Sequence, residues 1–480
     1  MRKLALLLAL LFALGLSGCG EAPAAPAPPS PETEEAAPLR GNGQPGLAIE
    51  RDAGLDPFAC VSSVNRLILS LVYDPLFRVN DRFEAIPVLA ESRSVAADGK
   101  TTTVLLCEGL TFSDGSAISA EDAAESLRQA KESELYGRRL RHVTDIRAED
   151  ERTLTLTTDV PYEELALLLD IPIVRLPGEK EQPIGSGAYV LEGTTSLRRR
   201  EDKLCPLTAK SIQLIPVESS EGLSSGFRSG GISFLESDPN GDAPLLLDDA
   251  PNIWSVPTTE LQFIGFNLAS PVFSSGSVRS AVSYAIDRAA IVKEDLRGFG
   301  VATPLTAPPG SPWYVPELAE SVTLDPQRLR ETVTSGTEVT FLVSTENPQR
   351  QTTARRIADS LTACGLAVKL SAMPPSAYAA ALRAGSFDLY YGQIRLSPDL
   401  DPEPLFRAGS GACIGGLEAL PQLLQFCDLT RANHGNSASL QRSILLDGVI
   451  CPVAFTQKAL CVREEAKSGF SPCVDRPLAG

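Results

Sequence analysis

Apolar residues open the chain in one unbroken run, Leu4 to Leu16, directly behind Arg2 and Lys3. That run falls short of the roughly 20 apolar residues a membrane-spanning helix needs. A basic start followed by a short apolar stretch is the layout of an export signal. It ends in Leu16-Ser17-Gly18-Cys19, after which Gly20 to Arg40 is built of Ala, Pro and Glu with almost nothing large and apolar. Such a segment cannot bury enough surface to offset its ordering entropy, so an extended stalk is expected over 19–40.

Past the stalk the pattern changes to that of a folded body. From Gly41 to about Pro183 short strands dominate: Thr101 to Leu106 and Thr153 to Thr157 are rich in Thr, Val and Leu at strand lengths. Asp114-Gly115 marks a tight turn. Ser119-Ala120-Glu121-Asp122 has the character of a helix start, a hydroxyl to cap an orphan N–H and acids at the positive end of the dipole. Ala123, Leu127 and Ala130 fall on one face of that helix. In the second half Val278, Ala281, Val282, Ala285 and Ile286 recur at helical spacing, with Ala289, Val292 and Leu296 extending the stripe. Then come a strand over Val339 to Val343, a helix over Thr352 to Ala363 stopped at Gly365, a strand over Leu366 to Leu370, a helix over Ala377 to Ala384, and a strand over Phe387 to Ile394. Alternation of this kind predicts a largely parallel sheet, so the body reads as α/β, with one mixed, strand-rich lobe and one α/β lobe. Ligands of open α/β sheets sit in the crevice beyond the strand ends.

Length supports two lobes, since about 440 residues follow the stalk, more than one hydrophobic core usually serves. The formal net charge of −17, from 43 Lys and Arg against 60 Asp and Glu, argues against nucleic acid or anionic lipid as the partner of the body. Nine cysteines follow Cys19, an odd number, with no Cys-x-x-Cys among them, and the only histidines are His142 and His434. A zinc site is therefore not expected, and no cofactor is called for. Cys107 reads as a small buried hydrophobe, and the group from Cys413 to Cys473 has the numbers for one or two disulfides. The chain contains no Gly-x-Ser-x-Gly elbow, His-Glu-x-x-His or P-loop, so a secreted hydrolase is the weakest reading.

Several segments resemble known sequences. Leu16-Ser17-Gly18-Cys19 is similar to the bacterial lipoprotein box, which implies a signal peptide over 1–18 and a lipid on Cys19. Leu71-Val72-Tyr73-Asp74-Pro75-Leu76, Ile86-Pro87-Val88-Leu89-Ala90-Glu91-Ser92, Leu110 to Ser116 and Gly185-Ser186-Gly187-Ala188-Tyr189 resemble the extracellular solute-binding proteins of family 5. The series continues in family order through Phe263-Ile264-Gly265-Phe266-Asn267, Val278 to Arg288, Pro308-Pro309-Gly310 and Phe387 to Gly392. The resemblance implies a two-lobed periplasmic-binding-protein-like fold (type II, cluster C) with an extra peripheral subdomain. Lobe 1 would take 41–257 plus 452–480, with the subdomain inserted at about 80–183, and lobe 2 would take 258–451. It also implies a non-enzymatic, monomeric receptor on the outer side of the membrane, held there by its lipid. Such a receptor closes by a hinge on a peptide or similar small solute and hands it to the permease and ATPase subunits of an ABC importer. Nickel chelates, opines and peptide pheromones are the alternative cargoes.

Candidate ligand contacts cluster after the last predicted strand, in Tyr391-Gly392-Gln393-Ile394-Arg395-Leu396-Ser397-Pro398-Asp399-Leu400-Asp401. Peptide-binding members carry a tryptophan and an acid here, the acid holding the peptide's α-amine. This chain has no tryptophan there, and either Asp399 or Asp401 could stand for the acid. Arg395 could fork onto a ligand carboxylate, with Gln393 and Tyr391 beside it. Ser62, Ser63 and Asn65 are the candidates for the facing wall, whereas Arg279 and Asp287 read as local pairing or capping residues.

Overall fold

The computed structural model describes residues 44–175, 183–203, 205, 207–242, 244–245, 252–407, 421–466 and 471–478. The segments expected as an export signal and a stalk, and Cys413, lie outside them. Two long antiparallel strands organise the body: Asn252–Phe266 and Ile450–Val462 run side by side from the pair Asn252/Val462 to the pair Gly265/Ile450. Their register shifts between Pro257 and Leu261 and again between Gln262 and Phe263. At the first shift the Thr258 hydroxyl donates to the Thr456 carbonyl (2.7 Å) and the Thr259 hydroxyl to that of Leu396 (2.7 Å).

A mixed sheet extends from this pair in both directions. On one side Phe234–Ser237, Gly46–Ile49, Ser211–Pro216, Ser196–Arg199 and Tyr189–Glu192 follow in that order; on the other, Leu389–Arg395, Glu338–Ser344 and Ala367–Met373. The last three strands are parallel, as the strand–helix alternation predicts. Helix Pro348–Ala363 fills the crossover between two of them. Asn347 caps it by accepting from the Arg350 amide (2.9 Å), and Ala354, Ile357, Ala358 and Leu361 face inward. Gly365, at φ 105°, turns the chain out of the helix where a β-carbon would be strained.

A separate four-stranded antiparallel sheet, ordered Ala90–Val95, Thr101–Leu106, Thr153–Thr158 and Val143–Ala148, lies within the segment expected as an insertion. Alternation in Thr101–Leu106 buries Thr102, Val104 and Leu106. Helix Ala120–Glu132 packs on this sheet through Ala123, Leu127 and Ala130. A reciprocal box opens it: the Ser119 hydroxyl accepts from the Asp122 amide (3.2 Å) and the Asp122 carboxylate from the Ser119 amide (2.8 Å).

Three expectations change. The stripe from Val278 to Leu296 is not one helix: Gly276–Tyr284 stops, and the Asp287 carboxylate then caps a new turn by accepting from the Ala290 amide (2.9 Å). Arg279 donates to the carbonyls of Phe273, Ser274, Asp447 and Gly448, so its role is local, as expected. No disulfide joins Cys427, Cys451, Cys461 and Cys473 to one another. Burial raises the thiols of Cys427 and Cys451, which behave as small core residues. Cys107 is only half-buried, because strand alternation turns Leu106 inward and leaves its neighbour at the strand end.

The Gly185-Ser186-Gly187 motif has a steric cause. It runs against the end of helix Ser63–Val72, where a β-carbon on Gly187 would lie 2.4 Å from the Leu71 carbonyl oxygen and one on Gly185 2.2 Å from that of Val72. The Ser186 hydroxyl accepts from the Asp74 amide (3.1 Å) and donates to the Ile173 carbonyl (3.0 Å). Because the opposing atoms are backbone, they cannot rotate away. Gly187→Ala should therefore cost about 1–3 kcal/mol of folding stability, the range for forced overpacking. Urea unfolding checks this, and an unchanged midpoint would contradict the close approach.

Candidate ligand-binding cleft

Helix Ser63–Val72 forms one wall of a large cavity. The Ser62 hydroxyl accepts from the Asn65 amide (3.1 Å) and donates to the Glu50 carboxylate (2.7 Å), which starts the helix. Asn65 is fully buried; its amide group donates to the carbonyls of Glu50 (2.8 Å) and Gly54 (2.7 Å), and its oxygen accepts from the Glu50 amide (2.9 Å). Ser62 and Asn65 thus build the helix start, and Ser63 sits exposed on the first turn. None of the three lines the cavity, contrary to expectation. One turn further on, Arg66, Leu69 and Ser70 share a face and do line it.

The cavity holds about 730 Å³, within the usual range for small-molecule sites. Its other walls come from the segment after helix Ala120–Glu132 (Tyr136, Arg138, Arg139, Arg141), from the end of strand Leu389–Arg395 with the residues to Pro398, and from Asp475 and Arg476 near the C-terminus. Gln393 and Arg395 lie in it. Gln393 donates to Glu260 (2.8 Å), and Arg395 engages the same carboxylate (2.8 Å) and, more loosely, Asp475 (3.4 Å). Tyr391 does not: its ring lies in the core, 1% exposed, where its hydroxyl donates to Gln262 (2.7 Å). Burial pushes that hydroxyl far above its ordinary pKa. Tyr390 and Gly392 face the cavity instead.

Asp399 and Asp401 also turn away. Both are buried in a polar and ionic bundle that joins Arg141 and Tyr162 to the segment after strand Leu389–Arg395 and to Arg431. Asp399 accepts from the Tyr162 and Ser397 hydroxyls. Asp401 pairs with Arg141 (2.9 Å) and Arg431 (3.1 Å), and Glu403 with the same two arginines (2.8 and 2.6 Å) and with Arg407. His142 is buried against Asp159 (2.9 Å) and lies 3.6 Å from Glu403. A second hollow, lined by Tyr162, Trp313, Asp399 and His434, holds only about 30 Å³ and has room for water alone.

The sequence reading missed Arg66, Arg138, Arg139, Arg141, Arg350 and Arg476. One signal was available: Arg138-Arg139-Leu140-Arg141 concentrates positive charge in an acidic chain. The rest converge only through the fold.

Within the bundle the two acids differ. Burial alone would raise Glu403, but His142, Arg141 and Arg431 outweigh it and hold the carboxyl well below the usual range. Burial, with Asp399 alongside, pushes Asp401 up. A depressed carboxyl contributes stability that is complete above its unfolded pKa and is lost as pH falls through the folded one; a raised carboxyl detracts from stability once both states ionise. Glu403→Gln should therefore cost about 3–5 kcal/mol, the loss typical of breaking a buried pair from one side. Asp401→Asn should cost less. Denaturant unfolding at neutral pH compares them, and a reversed order would refute this division of roles.

Residues 84–414 match the family described as bacterial extracellular solute-binding proteins, family 5 Middle. The glutathione-binding protein GsiB of Escherichia coli (strain K12) is 26% identical over 273 residues, 52% of this chain and 53% of that protein. GsiB of Shigella flexneri serotype 5b (strain 8401) is 26% identical over 300 residues, 58% of each chain. The chain thus spans about half the length of the curated relatives it matches. Among solved structures, the periplasmic murein tripeptide binding protein MppA, in its unliganded open form, has a TM-score of 0.73 at 18% identity, covering 91% of this chain and 97% of that one. NikA from Brucella suis, in complex with Fe(III)-EDTA, has 0.68 at 17%, covering 90% and 98%. The substrate-binding protein CtaP of an ABC transporter from Listeria monocytogenes has 0.69 at 19%, covering 87% and 94%. These structures share the mixed α/β fold of cluster C binding proteins. No helix among the described residues is long and apolar enough to cross a membrane. A family match over most of the chain, carried on that fold, leads to one conclusion: the chain belongs to the bacterial extracellular solute-binding proteins of family 5.

Proposed function

We propose that the protein is the extracytoplasmic receptor of an ABC importer, tethered by a lipid on Cys19, and that it captures peptides or solutes of similar size. The observation that carries this reading is the 730 Å³ cavity, which the strand end Gly392 to Pro398 and helix Ser63–Val72 line from different parts of the sheet. The family match supports a binding role, and the tripeptide and glutathione named for its relatives are of the size such a cavity admits. The two register shifts in the long strand pair favour hinge points near Pro257 and Cys451, the boundaries expected for two lobes. Delivery of the cargo to a permease belongs to the same reading.

The cleft lacks the feature expected for holding a peptide amine, because Asp399 and Asp401 belong to the ionic bundle. Small anionic solutes, chelates and opines among them, therefore remain within this proposal. Among the described residues no group of three or more His, Cys, Asp and Glu is placed to hold a metal ion, so a metal cargo would arrive inside its own chelator.

Mass spectrometry of ligand released from natively purified, then denatured, protein tests the reading. Recovery of a short peptide or small anion, with a rise in the melting midpoint when it is added back, is the expected result, since a ligand of the native state must stabilise it. Cys19→Ser should move the protein from the membrane to the soluble fraction; retention on membranes would count against the anchor.

A further inference from the structure

The cleft and the chain that builds it carry opposite charge. The chain has a formal net charge of −17, yet the residues around the cavity include seven arginines and two aspartates. Every basic residue there is an arginine. Its planar fork matches carboxylate and phosphate oxygens two at a time, which the compact lysine ammonium does not.

Four of the seven already have carboxylates near them. Arg141 pairs with Asp401 and Glu403, Arg476 with Asp170 (2.6 Å), and Arg395 with Glu260 and Asp475. Arg350 lies 3.6 Å from Asp242 and 3.7 Å from Glu346. Arg66, Arg138 and Arg139 differ: among the described residues none of them forms an ion pair. Arg139 donates to the Leu167 carbonyl (3.0 Å), and its buried Nε has no hydrogen-bond partner. Their guanidinium groups come from two walls of the cavity, Arg66 from helix Ser63–Val72 and Arg138 and Arg139 from the segment after helix Ala120–Glu132, and a concave cleft focuses such charge inward. A cationic ligand group finds far less. Asp170 is taken by Arg476, and Asp475 is engaged by Arg395 at 3.4 Å.

We infer that the cleft selects solutes of net negative charge carrying two or more carboxylate or phosphate groups, with one such group seated among Arg66, Arg138 and Arg139. This rests on the reading of the cavity as the ligand site and narrows the ligand to an anion. The electrostatic share of binding then weakens as salt screens the wall, over a distance of about 10 Å at 0.1 M ionic strength.

Titration calorimetry on the full chain, with trialanine, trilysine, triglutamate, citrate and inorganic phosphate at low and high salt, tests it. Triglutamate or citrate should bind, more weakly at high salt, and Arg66→Gln and Arg138→Gln should each lower that affinity about 10- to 100-fold. Neither variant breaks an ion pair, so the unliganded melting midpoint should hold, which separates lost contacts from lost folding. Binding by phosphate and not by the carboxylates would also support an oxyanion seat and identify phosphate as its group. If trialanine or trilysine binds and the anions do not, or if anion affinity ignores both substitutions and salt, the charge inference falls while the receptor reading stands. If no member of the panel binds and no ligand co-purifies, both fall.

Discussion

The antiparallel pairing of Asn252–Phe266 with Ile450–Val462 is the constraint on which the rest of the structure depends. These strands are the longest described, and each half of the main sheet hangs from one side of the pair. A strand that crosses from one half to the other must twist to satisfy neighbours on both, and the register shifts beginning at Pro257 release that twist. The hydroxyls of Thr258 and Thr259 then take up backbone carbonyls at the break. The cavity opens beside this point, since Thr259 and Phe263 both line it.

Polar groups are used differently at two places. In the ionic bundle, the buried Arg431, Asp401 and Glu403 and the more exposed Arg141 satisfy one another at 2.6 to 3.1 Å. Burial makes such a set stringent, because losing one partner strands the others. In the cleft, cations are left partly unsatisfied. Arg141 belongs to both places, so one wall of the cavity is fastened to the bundle. This explains why Asp399 and Asp401 do not line the cavity: they are committed to holding the fold.

Much of the architecture was legible along the chain. Period-two alternation in Thr101–Leu106 and the 3.6-residue spacing in helix Pro348–Ala363 predict elements that the structure contains, with boundaries shifted by a few residues. Caps at Ser119 and Asn347, the turn at Gly115 and the stop at Gly365 are local chemistry, satisfied within a few bonds, and so are written locally. The break at Asp287 was harder to see, because apolar spacing continues across it while the carboxylate starts a new turn.

The sequence by itself determined the element order, the parallel strand–helix alternation and the motif series that resembles the family, because each depends on neighbours along the chain. Only the tertiary structure decided which side chains face the cleft. Tyr391 and Gly392 are adjacent, yet one points into the core and the other into the cavity. That choice depends on what covers each face of the sheet, and here both faces are covered. Apart from Ser397, the partners of Asp399 and Asp401 (Tyr162, Arg141 and Arg431) lie 30 to 260 residues away along the chain, and the arginines that converge on the cavity are as widely spread. Charge pairing over such separations leaves no periodic trace, so the fold alone could assign the acids to the bundle and the arginines to the cleft.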